Sequence, residues 1–287
     1  MRNEEEVIML IINVAKSDDR IRAVLLNGSR ANPKAKKDKF QDFDIVYIVN
    51  EMDSFLSDHG WIDVFGKRLI LQIPKGMNFG KDDEGHNENP SFSYLMHFED
   101  GNRIDLTLFP SDKLETAFER DSLTLSLLDK DGLFKNLITP TDKDYLIKRP
   151  SEKEFTDCCN EFWWVSTYVA KGLWRDEIIY SKDMLEKPVR AMFLKIIEWY
   201  IGVDENFTVS FGKCGKNLKE YVSPELYDKI LSTYPDADKD NIWNSLFLIT
   251  EIFSDLARKI ATILNFNYNS HEELKVTRYL RWVYNDK

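Results

Sequence analysis

Three aspartates and a glycine-serine turn are the residues of this 287-residue chain whose types and spacing suit chemistry. Asp42-Phe43-Asp44 opens an alternating segment that runs to Val49. Residues two apart in a strand point to one face, so the two carboxylates sit roughly 6–7 Å apart along the backbone and can converge on one ion. Asp105 lies inside a second such segment, with Arg103 and Thr107 on its face and Ile104, Leu106 and Leu108 on the other. If the two strands neighbour one another, three acids meet on one surface. At an effective dielectric of about 20, each close pair would repel by several kcal/mol. A divalent cation resolves that repulsion, and Mg2+ is commonly held by one or two carboxylates together with substrate phosphates. Upstream, Gly28-Ser29-Arg30 offers a backbone able to approach phosphates, a hydroxyl with an exposed N–H, and a cation to oppose phosphate charge. Neither a Walker A loop nor a GxGxxG run is present. Taken singly these features are weak, since an Asp at a strand start is often only a turn residue. An Asp within a strand is rarer, and the combination carries the reading.

The elements that must position these residues are legible in outline. Asn3 with Glu6 resembles a capping box ahead of Val7, Leu10, Ile11 and Val14 at helical spacing. Ile21–Leu26 suits a buried strand ending at the turn Asn27-Gly28. Asp42–Val49 reads as a strand with Phe43, Ile45, Tyr47 and Val49 on one face, and Arg68–Ile73 as another. Pro74–Ser91 reads as a polar loop, and Phe92–Phe98 with Arg103–Phe109 as a hairpin across Asp100-Gly101. From about residue 150 the pattern becomes helical. Ser151-x-x-Glu154 caps a long helix, Pro188 stands at a first turn with Gly202 past the end, and Ser223-Pro224 starts another. Asn241–Leu264 forms a long amphipathic helix, and Ser270-x-x-Glu273 caps the last. Strands first and helices afterwards predict an α+β domain, a mixed β-sheet flanked by helices, joined to an α-helical bundle, with a boundary near 140–150.

Composition narrows the class. With 43% apolar residues the chain can fill a core. The 39 Lys and Arg against 49 Asp and Glu give a net charge of −10, which disfavours nucleic acid and favours cations. Cys158, Cys159 and Cys214 form neither a metal pattern nor a disulfide framework, which points to a reducing cytoplasm. The apolar run Val7–Ile12 is too short for a signal peptide or a membrane span. His59, His86, His97 and His271 show no metal or triad spacing.

Gly28-Ser29, Asp42-x-Asp44 and Asp105 resemble the nucleotidyltransferase pattern of the polymerase-β-like superfold. More narrowly, Asp19-Arg20-Ile21-Arg22, Asn27-Gly28-Ser29-Arg30, Phe40-Gln41-Asp42-Phe43-Asp44 and Arg103-Ile104-Asp105-Leu106-Thr107-Leu108 resemble the aminoglycoside 6-adenylyltransferases that inactivate streptomycin. So do Phe162-Trp163-Trp164-Val165, Tyr168–Arg175 and Gly215-Lys216-Asn217-Leu218-Lys219. The resemblance implies a nucleotidyltransferase domain over 1–148 and a helical domain over 149–287 that closes on nucleotide and substrate. It implies transfer of AMP from ATP to the 6-hydroxyl of streptomycin, with release of pyrophosphate. Asp42 and Asp44 would bind Mg2+, and Gly28, Ser29 and Arg30 would hold the triphosphate. Asp105 would be a third ligand or the base that takes the hydroxyl proton. Lys216, with Lys213 and Lys219 as rivals, would reach phosphate from the helical side.

Trp163, Trp164 and Trp174 fall at helical spacing, which is more often core, with Trp174 the candidate for substrate stacking. Asp176 and Glu177 suit the guanidinium groups of the antibiotic or, equally, a helix start. Other readings stay open: the same chemistry on another aminoglycoside, a nucleotide, a protein or an RNA end; a non-catalytic nucleotide-binding module; or a scaffold whose acids only cap turns. The sequence leaves the oligomeric state undecided.

Overall fold

A computed structural model describes residues 1–77 and 90–286. The chain divides into two compact units, Met1–Asp144 and Tyr145–Lys287.

The first unit is built on one six-stranded sheet. Its elements in chain order are α1 (Glu4–Ser17), β1 (Ile21–Asn27), α2 (Gly28–Ala31), β2 (Phe43–Val49), α3 (Asp53–Ser57), β3 (Arg68–Gln72), β4 (Phe92–Phe98), β5 (Arg103–Pro110), α4 (Leu114–Ala117) and β6 (Thr124–Asp129). The strands lie in the order β3-β4-β5-β2-β1-β6. β2 and β5 pair in parallel and the remaining neighbours are antiparallel, so the sheet is mixed. Alternation sets its two faces. Phe43, Ile45, Tyr47 and Val49 join Ile104, Leu106 and Leu108 in the larger core, together with Val7, Ile11 and Ala15 of α1. The Tyr47 hydroxyl donates to the Ile11 carbonyl at 2.6 Å, tying α1 to the sheet. The opposite face carries a smaller cluster of Ala23, Leu25, Val46, Ile48, Phe109 and Phe134. The acids lie on this second face.

The capping box at Asn3 and Glu6 is formed, and Gly101 takes φ +84° in the β4–β5 turn. Asp42 stands one residue ahead of β2 rather than inside it. Strand β6 was not anticipated; its burial pattern lacks the clean alternation of β5. Of the expected loop Pro74–Ser91, residues 78–89, including His86, fall outside the described residues.

The second unit is helical: α5 (Glu152–Trp174), α6 (Ile178–Met184), α7 (Arg190–Asp204), α8 (Pro224–Leu231), α9 (Lys239–Leu264) and α10 (Ser270–Asn285). α5 opens on the Ser151–Glu154 capping box and α8 on Ser223 with Pro224 in its first turn, as the sequence predicts. Two helix boundaries differ. Pro188 does not begin a helix but sits in a π turn, Leu185–Val189, that runs α6 into α7, and Gly202 lies inside α7. The wider π turn tolerates a residue that lacks an N–H. The last helix is capped by Asn269, whose side chain accepts from the Glu272 N–H, not by Ser270 and Glu273. Among the described residues no helix is long and apolar enough to cross a membrane.

Candidate active site

The parallel pairing of β2 with β5 sets Asp44 directly opposite Asp105, and Phe43 opposite Ile104. Partners in register show their side chains to the same face, so the two carboxylates share the side away from α1, and Asp42, two residues before Asp44, joins them. Antiparallel pairing with β4 adds His97 opposite Arg103. All of these residues belong to the first unit.

The electrostatics follow from this crowding. Burial first, and then the charges of Asp105, Asp42 and, more weakly, Asp121, push the Asp44 carboxyl up to about 6, while Arg103 offsets part of the effect. Asp42 is also raised, first by burial and then by Asp105, against Arg103, His97 and Arg30. Arg103 supplies the resident positive charge. Its Nε and Nη2 donate to the two oxygens of Asp105 at 2.8 and 2.7 Å, and its Nη1 lies 3.5 Å from Asp42. Both Asp105 oxygens are therefore engaged. Among the described residues no group of three or more His, Cys, Asp or Glu side chains is arranged as a ready metal-binding set. Within the cluster the Arg103 guanidinium offsets the charge of two of the three acids, Asp105 and Asp42.

Gly28 is held against this cluster. Its N–H donates to the Leu123 carbonyl at 3.1 Å, and the preceding Asn27 pairs with Asp44 across β1 and β2. With φ +70°, and with an added Cβ lying 2.3 Å from Asp44 Oδ2, the position requires glycine on two separate grounds. Ser29 follows on the first turn of α2, partly buried beside it.

Arg30 turns its side chain onto the protein beside the cluster. Its side chain is only 5% exposed. The guanidinium stacks 3.7 Å over the ring of Phe43, on the α1 side of the sheet, and donates to the backbone carbonyls of Asp42 and Gln41 at 3.0 and 2.7 Å. Its Nη1 pairs with Glu4 of α1 at 3.2 Å. Every guanidinium nitrogen is engaged by protein atoms.

The remaining candidates belong to the helical unit. Lys216 is exposed in the turn after Gly212. Trp174 is 54% exposed, and its indole N–H donates to the Asp286 carbonyl at 3.0 Å, tying the ends of α5 and α10. Trp163 is buried in the helical core and Trp164 is exposed, its N–H donating to the Tyr168 hydroxyl at 2.6 Å. Asp176 occupies the left-handed region at φ +62° and pairs with Lys239 at 3.2 Å. Glu177 donates its backbone N–H to the Gly172 carbonyl across the α5–α6 turn. Arg103 and His97 were not nominated from the sequence. The signal for Arg103 was its place two residues before Asp105 on one face; for His97, only the hairpin register reveals it.

The whole chain has clear relatives. Residues 1–283 match the model of the family described as streptomycin adenylyltransferase. An aminoglycoside 6-adenylyltransferase of Campylobacter jejuni is 42% identical over 281 residues, covering 98% of this chain and 95% of that protein. Its counterpart in Bacillus subtilis (strain 168) is 39% identical over 285 residues, covering 99% of each. A crystal structure of an aminoglycoside 6-adenyltransferase from Bacillus subtilis matches at 36% identity over 99% of each chain, with a TM-score of 0.48.

Proposed function

The chain belongs to the streptomycin adenylyltransferase family, and from that premise we propose that it transfers AMP from ATP to an aminoglycoside, specifically to the 6-hydroxyl of streptomycin, which inactivates the antibiotic. The observation that carries this reading is the register of β2 on β5, which puts Asp44 opposite Asp105 with Asp42 alongside and Gly28 against the Asp44 carboxylate.

The donor set suits Mg2+. It is made of carboxylate oxygens, and the raised Asp44 carboxyl marks a place short of positive charge. Asp42 and Asp44 would hold the ion, with Asp105 as a third ligand once it leaves Arg103. Bound there, Mg2+ would neutralise part of the triphosphate charge. The residues of the chain do the rest. The Gly28-Ser29 turn lets the backbone come close to the phosphates, and Lys216 is the candidate cation from the helical unit. Asp105 accepts the proton of the attacking hydroxyl. The hydroxyl oxygen forms its bond to the α-phosphorus in line with the α–β anhydride bond, which breaks, and the electron pair leaves with pyrophosphate. Trp174, Asp176 and Glu177 are the candidates for holding a cationic sugar, Asp176 by exchanging Lys239 for a guanidinium of the substrate.

Incubation with ATP, Mg2+ and a panel of aminoglycosides tests the proposal, with pyrophosphate release and the mass of the acceptor as readouts. Streptomycin is expected to gain one AMP. Gain by a different aminoglycoside alone overturns the substrate, and no release with any of them overturns adenylyl transfer to this class.

A further inference from the structure

Arg30 follows the Gly-Ser turn, where a nucleotide-handling protein would be expected to spend a cation on phosphate. We infer that it is instead a positioning residue, whose guanidinium clamps the backbone of Gln41 and Asp42 and so fixes the stance of Asp42 and Asp44.

The need for a clamp is visible in the local structure. Residues 32–42 between α2 and β2 have no regular secondary structure, and Lys34, Lys36, Lys37 and Lys39 make the segment polar. The β2–β5 ladder begins only at Phe43 with Ile104. Asp42 therefore stands one residue outside the ladder, yet its side chain must meet that of Asp44. Arg30 supplies what the ladder does not. Its Nε and Nη2 donate to two successive carbonyls, Asp42 at 3.0 Å and Gln41 at 2.7 Å, and the planar group rests 3.7 Å over the ring of the next residue, Phe43. Glu4, at the start of α1, takes the remaining Nη1 at 3.2 Å, which anchors the clamp to the helix packed on the sheet.

Three features set this apart from a phosphate contact. The side chain is 5% exposed. The ring it covers faces the α1 core, while Asp44 and Asp105 share the other face of the sheet. Each of its three nitrogens already faces a protein oxygen, two carbonyls and one carboxylate, so its charge and orientation are committed to the chain. A buried cation in an apolar setting is costly unless paired, and Glu4 with the two carbonyls meets that condition. The geometry also demands arginine. A lysine head carries charge but cannot hold two carbonyls, one carboxylate and a flat stack at once.

That last point separates the two roles. A lysine serves phosphate well as a point charge, so a phosphate contact predicts that Arg30→Lys behaves nearly as wild type while Arg30→Met raises the KM for ATP. A clamp predicts that both variants fail alike. The measurements are amide hydrogen exchange over residues 40–46 of the full chain, Mn2+ binding by electron paramagnetic resonance, and kcat against KM for ATP. In Arg30→Lys, exchange over 40–46 is expected to quicken, and Mn2+ affinity to fall by roughly tenfold, the usual loss when a residue behind a metal ligand is removed. The kcat is expected to fall more than the KM rises. Arg30→Lys with unchanged exchange overturns the inference, and so does a higher KM for ATP with wild-type Mn2+ binding. Arg30→Lys keeps the charge and most of the volume, so it carries the test even where Arg30→Met fails to fold. The Mn2+ and kinetic arms rest on the proposed function; the exchange arm does not, and it stands if no aminoglycoside is modified.

Discussion

Asp44 keeps a carboxylate in a place where burial and neighbouring charge oppose its ionisation. Its carboxyl is pushed up to about 6 by burial and then by Asp105 and Asp42. A raised carboxyl binds its proton more tightly folded than unfolded, so ionising it at higher pH opposes folding. Asp44→Asn is expected to abolish turnover and to raise the melting temperature at pH 8 without divalent ions. That gain should shrink as pH falls through about 6, where wild-type Asp44 takes up its own proton. A scan of melting temperature against pH for both proteins checks this; a variant melting below wild type at pH 8 contradicts it. Gly28 belongs to the same pair of atoms, because a methyl there would lie 2.3 Å from Asp44 Oδ2 at a backbone angle that side chains avoid. Gly28→Ala should lower kcat/KM by about a hundredfold or more, equivalent to roughly 3 kcal/mol. A circular dichroism spectrum like that of wild type would show that the fold remains. At this scale the three acids and the glycine were legible in the sequence through their combination: Asp105 breaks the preference against Asp within a strand, and Asp42-x-Asp44 follows the Gly28-Ser29 turn at the head of the next strand. The arginines were not. Whether Arg30 or Arg103 meets phosphate, carbonyl or carboxylate depends on which face each reaches, and composition does not carry that.

The elements were legible where a local rule fixes them. Ser151 and Glu154 satisfy one another's orphan groups within three residues, so the start of α5 could be read directly. Ser151→Ala is expected to cost about 1 kcal/mol, seen as an earlier denaturation midpoint with an unchanged slope. Pro188 and Gly202 misled for the complementary reason. Each is a common end signal, but tertiary packing overrides both. The π turn absorbs the proline, and Gly202 is kept small by Ile147 and Phe207, whose atoms lie 2.8 Å from where a Cβ would stand. Two effects compete in Gly202→Ala: better helix propensity, near 1 kcal/mol, and overpacking of about 1–3 kcal/mol. The second should win, and thermal denaturation is expected to show a less stable protein. Strand β6 went unread because its place beside β1 comes from pairing across about a hundred residues of chain.

Across the whole molecule, charge is the governing quantity. A net charge of −10 concentrates cations near the surface, and salt screens that field over about 8–10 Å. For a polycationic acceptor the KM should therefore rise between low and physiological ionic strength, with kcat little changed; a KM indifferent to salt would argue against long-range attraction. Acid resistance depends on pairs that tie distant segments. Burial alone would raise the Asp100 carboxyl, but hydrogen bonds from the Arg2 side chain, from Asn102 and from the Arg2 backbone together hold it well below the usual range. Closer along the chain, the Arg20 side chain lowers Asp18, two residues before it. Depressed carboxylates stabilise the fold above their unfolded value near 4, and that contribution is lost as pH falls through the folded value. Arg2→Ala should accordingly move acid unfolding to higher pH, as followed by tryptophan fluorescence.

The alignment of Asp44 with Asp105 also limits how this chain can vary in length. Strand side chains alternate between faces, so one residue inserted between Arg103 and Asp105 would turn the acid toward Leu106 and the oily layer under α1. Two inserted residues would return it to the right side but leave it roughly 6–7 Å too far along the strand. A change of length therefore keeps Asp105 opposite Asp44 only if it is taken up ahead of Arg103, as a bulge or in the Asp100-Gly101 turn, and that turn is itself tied to Arg2 through Asp100 and Asn102.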